Sequence, residues 1–386
     1  MNRRLLGVGR RYLAGLVCLA ALGGCSAPTP PGTTPEALRC DRVCDRARLE
    51  LAHWIDWLTA NHAQGYLGEV GWPDDSRGDG TAWNAVAEAC YQQADAAGLW
   101  VTVWATGERW PATYPLAAYK PVDGKVSQAN SQAAVIERHR RPGRGISVAG
   151  GEFAAPAVDP TSDFSNAHPG VYGHAYQFAT QATFHYLAGR GLQLVRIPFR
   201  WERLQPQLDH PLDAAELGRL QAVVQRARHA RLGVVLDLHN YGGYYGSDGG
   251  RGTRWPLGSP QLPIRHFTDL WTRLSAAFAA DPAVVAYGLM NEPALLAASS
   301  DAQAARLWER ASQAALLAIR ARGDRKLVTV AGYNWSAVAS WPATHPSGWI
   351  DDPAHNFRYE AHQYFDSDHS GRYALSYSQE LARSGG

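Results

Sequence analysis

The property that most constrains this chain is an alternation. Short apolar runs bounded by turn residues lie at 66–70, 99–105, 145–150, 192–198, 232–239, 284–290, 326–332 and 357–364. Most are separated by stretches with helical spacing, at 45–63, 83–97, 176–190, 214–231, 267–280 and 302–322. Runs of this length and composition read as strands buried on both faces, the pattern of a parallel sheet. Eight strands alternating with helices over the length of one large domain predict an α/β fold, a single closed (β/α)8 TIM barrel. No glycine-rich phosphate motif favours an open doubly wound sheet instead. No repeat or second-domain boundary is visible, and the Pro- and Gly-rich loops at 106–125 and 240–263 are expected to elaborate one barrel mouth.

At 386 residues, with 46% hydrophobic and 19% charged, the chain can bury a core of that size. A formal net charge of +2 makes no strong field, so neither nucleic acid nor an acidic surface is indicated as partner. The 14 Trp and 17 Tyr supply flat amphipathic rings, many for the core and a share for a cleft that stacks on its ligand.

At the N-terminus Arg3, Arg4, Arg10 and Arg11 precede an apolar run at 12–22, too short to span a bilayer and shaped like a secretory signal. It ends in Leu22-Gly23-Gly24-Cys25, which resembles the bacterial lipoprotein cleavage box. On that reading 1–24 is a lipoprotein signal peptide, 25–44 a lipidated N-terminus with a Pro/Thr-rich linker, and 45–386 the barrel. The protein would then belong to the cell envelope and touch a membrane only through Cys25. The alternative is an ordinary cleaved signal and a secreted protein. Export permits disulfides, and Cys40, Cys44 and Cys90 predict one pair and one free buried thiol, with the pairing left open.

A barrel keeps its chemistry at the C-terminal ends of its strands. Glu69, Trp104, Arg196, His239, Asn291, Glu292, His362 and Tyr364 all fall there. Asn291-Glu292-Pro293 sets a carboxylic acid after an apolar run and follows it with a chain-breaker, although the same triplet also serves as a polar turn. Arg196 lies within an apolar strand, where a guanidinium requires a carboxylate partner, catalytic or structural. His239 heads the loop at 240–245, with a hydrogen-bonded core histidine as the alternative. His362 and Tyr364 are two apart and share one face of their strand. No His-x-x-x-His or Cys-x-x-Cys pair occurs, so no metal is expected, and the acidic stretch from Asp74 to Asp79 reads as a solvated loop.

The runs Val195-Arg196-Ile197-Pro198, Leu236-Asp237-Leu238-His239-Asn240, Asn291-Glu292-Pro293 and His362-Gln363-Tyr364 resemble the strand-end motifs of glycoside hydrolase family 5, the endoglucanase and mannanase family of clan A. They come in the family's order, over residues 145–370. The family continues, after His-x-Tyr, to a strand with Gly-Glu-Phe/Tyr-Gly and then to one ending in Trp; neither follows here. Instead Leu67-Gly68-Glu69-Val70-Gly71 and Val101-Thr102-Val103-Trp104-Ala105 resemble those strands and stand at the front of the chain. The resemblance therefore implies a circular permutation, with helix 45–63 closing the barrel and the two chain ends adjacent.

It further implies retaining, endo-acting hydrolysis of β-1,4-glucan, with β-mannan or another β-linked glycan as alternative, and a monomer without cofactors. Glu69 would be the nucleophile and Glu292 the acid/base, about 5 Å apart. Arg196, His362 and Tyr364 would hold Glu69, Asn291 would bind the sugar 2-hydroxyl, and Trp104 would stack beneath the cleaved sugar, with His239 also lining the site. Glu152, in Gly150-Gly151-Glu152-Phe153, imitates the nucleophile motif but by resemblance sits on the family's first strand and lines a subsite. Glu360, inside a strand, is less well placed. A tethered glycan-binding protein without catalysis is the reading from another class, and a separate binding module at 36–140 on a truncated barrel is a third.

Overall fold

The structure is a computed structural model that describes residues 40–384. The expected signal peptide, the Cys25 anchor and nearly all of the linker lie outside the described residues.

Eight strands form the barrel: β1 (Gly65–Gly71), β2 (Trp100–Thr106), β3 (Arg144–Val148), β4 (Leu194–Phe199), β5 (Gly233–Leu238), β6 (Val284–Gly288), β7 (Leu327–Ala331) and β8 (Phe357–Tyr364). Each pairs in parallel with the next, and β8 pairs with β1 to close the ring. Every apolar run named from the sequence is one of these strands. Because β1 and β2 complete the ring, residues 36–140 are not a separate module, and that third reading is overturned.

The principal outer helices are α1 (Arg42–Ala60), α2 (Gly80–Ala96), α3 (Gln181–Gly189), α4 (Ala214–His229), α5 (Ile264–Phe278) and α6 (Asp301–Ala321). Helix α1 starts earlier than expected because the Asp41 carboxylate caps it, accepting from the N–H groups of Val43 and Cys44. Its buried stripe is Val43, Ala47, Leu51, Trp54 and Leu58, whereas Leu49, which helical spacing also groups with Ala52, Ile55 and Leu58, with Trp54 beside them, is 57% exposed. The stripe containing Trp54 buries more apolar area, and so it sets the helix rotation. Cys40 and Cys44 form a disulfide, and Cys90 is free and buried.

The two ends of the described chain meet: Tyr377, first residue of the helix Tyr377–Arg383, donates its hydroxyl to the same Asp41 carboxylate at 2.8 Å. This is the closure that a strand order consistent with circular permutation requires. Inside the barrel, Leu194, Val235, Ala286 and Leu327 make an apolar layer near the strand starts. Nearer the mouth the inward residues become polar, beginning with the Tyr66 hydroxyl against Thr102 Oγ1 at 2.6 Å. The two long loops are more ordered than expected, each folding into an antiparallel hairpin, Tyr119–Val122 with Lys125–Ala129 and Gly243–Asp248 with Arg251–Pro256. Among the described residues no helix is long and apolar enough to cross a membrane.

Candidate active site

Period-two alternation would point Glu69 away from the barrel, since Tyr66 faces inward and Glu69 is three residues on. The pairing of β1 with β8 shifts register between Leu67 and Glu69, and this irregularity turns Glu69 into the mouth. Gly68 leaves the space that Glu360 occupies beside it, because a Cβ there would lie 2.1 Å from Glu360 Oε1. Glu292 reaches the same space differently. β6 ends at Gly288, the Asn291 N–H donates to the Leu238 carbonyl at 2.7 Å, and Glu292 takes a left-handed φ of 43°.

The two carboxylates converge on His362. One oxygen of each and a ring nitrogen of His362 lie within 4.8 Å of one another. His362 Nδ1 is 2.8 Å from Glu292 Oε1 and 3.7 Å from Glu69 Oε2. Glu69 is held from two sides, with Arg196 Nη1 donating to Oε1 at 2.9 Å and the Tyr364 hydroxyl donating to Oε2 at 2.6 Å.

Arg196 is fully buried and is the hub. Besides Glu69, its Nη2 lies 3.0 Å from Asp237 Oδ1 and 3.3 Å from Glu360 Oε1, and it donates to Asn291 Oδ1 at 2.6 Å. Burial opposes its charge, but Asp237, Glu360 and Glu69 together hold its pKa well above the usual value. Burial likewise opposes a charge on His362, yet Glu69 with Glu292 and Glu360 lifts its pKa to about 10, so the ring is cationic at neutral pH. Glu292 is pushed up by burial and by the negative charge of Glu69, against the bond from His362, which favours a protonated acid. Burial also pushes Asp237 up to about 7 against the pull of Arg196.

His239 has the opposite tendency to His362. Burial, then the charge of Arg196, holds its pKa well below the ordinary value, so it is neutral. Its Nδ1 sits 2.7 Å from Asp237 Oδ2 and its Nε2 3.0 Å from the Tyr241 hydroxyl, with Asn291 Nδ2 at 3.3 Å. This network assigns the proton to Nδ1. The Trp104 ring stacks against His239 with centroids 5.5 Å apart, and its indole N–H donates to the Tyr114 hydroxyl at 3.0 Å. Trp110 stacks on Tyr114 in turn. Beside Glu292 a cleft of about 600 Å³ opens, lined in part by Tyr241, Trp335, Tyr364 and Arg372.

The structure thus brings together Glu69, Glu292, Arg196, His239, Asn291, His362, Tyr364 and Trp104. Glu152 is buried nearby, accepts the N–H of Gly150 at 2.8 Å and is pushed up to about 7 by burial. Sequence reading passed over Asp237 and discounted Glu360; both are buried counter-ions. A signal was present, since Asp237 with His239, and Glu360 with His362 and Tyr364, repeat at period two on one face. Tyr241, Trp110, Tyr114 and Trp335 come from loops and had no comparable signal.

Glu69, Glu292 and His362 form the one grouping among the described residues whose donor atoms could surround a cation. They do not suit one. A His362 ring protonated among Glu69, Glu292 and Glu360 has no lone pair to offer.

The sequence profile of Cellulase (glycosyl hydrolase family 5) matches residues 155–384, more than half of the chain. The chain belongs to glycosyl hydrolase family 5. Among family relatives, an endoglucanase of Neurospora crassa named gh5-1 is 29% identical over 245 residues, covering 61% of this chain and 54% of that protein. The endo-β-1,4-glucanase B of Aspergillus niger is 29% identical over 212 residues, covering 54% of this chain and 58% of that one. The chain therefore spans only a little over half the length of these proteins. Of solved structures, the endo-β-1,4-glucanase Xac0029 of Xanthomonas axonopodis pv. citri is 34% identical, with a TM-score of 0.50 over 62% of this chain and 72% of that one. Endoglucanase Cel5A of Pseudomonas stutzeri, in complex with cellobiose, is 34% identical, with a TM-score of 0.51 over 59% and 62%.

This partial coverage accords with a permuted strand order. An alignment that keeps chain order can superpose only one unbroken piece of a permuted barrel, and the family match lies wholly C-terminal to β1 and β2. The order of strands is consistent with a circular permutation of the family 5 barrel.

Proposed function

We propose that this protein is a retaining, endo-acting β-glucan hydrolase, with Glu69 as nucleophile and Glu292 as general acid and then base. The observation that carries the proposal is the approach of the two carboxylates, their nearest oxygens within 4.8 Å. Retaining glycosidases hold the pair about 5–5.5 Å apart, whereas an inverting enzyme leaves a wider gap for water.

The surroundings support the division of roles. Glu69 accepts from Arg196 and Tyr364, which aim its carboxylate for attack. Glu292, pushed up by burial and by that charge, starts as the acid. Glu69 attacks the anomeric carbon as Glu292 protonates the departing oxygen; Glu292 then deprotonates the water that releases the sugar. Asn291, fixed by Arg196, faces the 2-hydroxyl, and Trp104 lies beneath the sugar being cleaved. His239, kept neutral, orients Asn291 and Trp104 rather than transferring a proton.

β-1,4-Glucan is the favoured substrate because the matched relatives carry endo-β-1,4-glucanase names, with β-mannan behind it. In the test, Glu69→Gln should reduce turnover of soluble β-1,4-glucan to background while the protein still melts cooperatively and binds cello-oligosaccharides. Full activity would remove Glu69 from the mechanism. A protein that binds glycan without any turnover in the wild type would favour the non-catalytic reading.

The N-terminal pattern supports export and an envelope anchor at Cys25. Cys25→Ser should move the protein from the membrane fraction to the soluble one, and an unchanged distribution would discard the anchor.

A further inference from the structure

Arg254 stands in the second strand of the hairpin that overhangs the mouth. Its guanidinium binds three backbone carbonyls, Nη1 donating to Leu295 at 2.9 Å and Nη2 to Tyr241 at 2.7 Å and to Ala294 at 3.0 Å. Among the described residues it makes no ion pair, and burial draws its pKa below the usual value. A half-buried guanidinium that gains no carboxylate takes its protein hydrogen bonds from those carbonyls.

The three carbonyls belong to the two loops that meet at Glu292. Those loops contain three non-glycine residues in the left-handed region, Tyr241 at φ 52°, Glu292 at 43° and Leu295 at 49°. Such conformations are unfavourable for residues bearing a side chain and persist only where the surroundings over-determine them. Two further bonds stitch the loops together, from the Tyr241 N–H to the Asn291 carbonyl at 3.1 Å and from the Ala294 N–H to the Tyr241 carbonyl at 3.3 Å. Gly243 leaves the space in which Arg254 lies, for a Cβ there would be 2.8 Å from its Nε.

We propose that Arg254 is a positioning residue that fixes the backbone on either side of Glu292 and so aims its carboxyl at the departing oxygen. The assignment rests on the reading of Glu292 as the acid. Arg254 acts through geometry, since it bonds only the main chain around Glu292.

The test uses leaving groups. A sugar alcohol needs a proton to depart, whereas an activated phenolate does not. In Arg254→Met, kcat/KM for an unactivated cello-oligosaccharide should fall about a hundredfold, the scale of a misaimed catalytic group. For a dinitrophenyl β-cellobioside the fall should stay within about threefold, because general-acid assistance is not required. Arg254→Lys, which keeps the charge but cannot span three carbonyls, should fall between, and it carries the same comparison if the Met variant does not fold. Equal losses on both substrates, or no loss on either, would overturn the assignment. Glu292→Gln is the control. If it lacks the same leaving-group dependence, the acid reading fails and this assignment with it; if it shows the dependence and Arg254→Met does not, the assignment alone fails.

Discussion

Arg196 and Arg203 lie close together in the chain, one in β4 and the other in the short helix Trp201–Leu204 that follows, and both are buried. Arg196 is surrounded by Glu69, Asp237 and Glu360, and its pKa is driven up. Arg203 donates instead to the carbonyls of Pro169, Gly151 and Phe153 and lies over the Tyr176 ring at 3.7 Å. Burial, with the nearby charge of Arg200, draws its pKa down to about 10. Arg254 repeats the second pattern around Glu292. The centre of the mouth therefore uses arginine as a counter-ion that sets the ionisation of carboxylates, and the rim uses it as a fork that holds loop backbone in place.

Removing the guanidinium should separate these uses. Arg196→Met leaves carboxylates buried without compensation and should cost about 3–5 kcal/mol, the range for breaking a buried pair by deleting one partner. Arg203→Met strips hydrogen bonds from neutral carbonyls and should cost about 2 kcal/mol, since Met retains much of the packing over Tyr176. Urea denaturation of both variants checks the order. Equal costs would mean that the carboxylates at the centre have shed their charge rather than relied on Arg196.

A smaller effect should appear with pH. The folded pKa of His362 is about 10 against an ordinary 6.5. The stability contributed by its charge is thus fully present below about pH 6.5 and is lost as pH rises through about 10. Stability measured from pH 6 to pH 10 should decline more steeply in the wild type than in His362→Gln. Parallel curves would show that His362 is not the cation on which Glu69 and Glu360 depend.

Much of the site was legible along the chain. Asp237 with His239, and Glu360 with His362 and Tyr364, follow the two-residue repeat of a strand, so their common inward face could be read from spacing alone. Asn291-Glu292-Pro293 was visible as a carboxylic acid next to a chain-breaker. Leu49 illustrates the limit, for a helical stripe can be drawn through more than one set of apolar residues. Packing chose the set containing Trp54.

The sequence by itself determined the strand and helix alternation, the period-two inward faces and the order of motifs that places this chain in family 5 with two strands moved to the front. Those are local properties, carried by hydrophobic spacing and turn chemistry within a few residues. Only the tertiary structure decided that β1 closes on β8, that a register shift turns Glu69 inward, that Arg196 joins carboxylates from three strands, and that Arg254 braces the left-handed backbone at Glu292. Each of these depends on groups distant in sequence, whose mutual burial makes pairing obligatory, and no local pattern encodes which partner a buried charge will find.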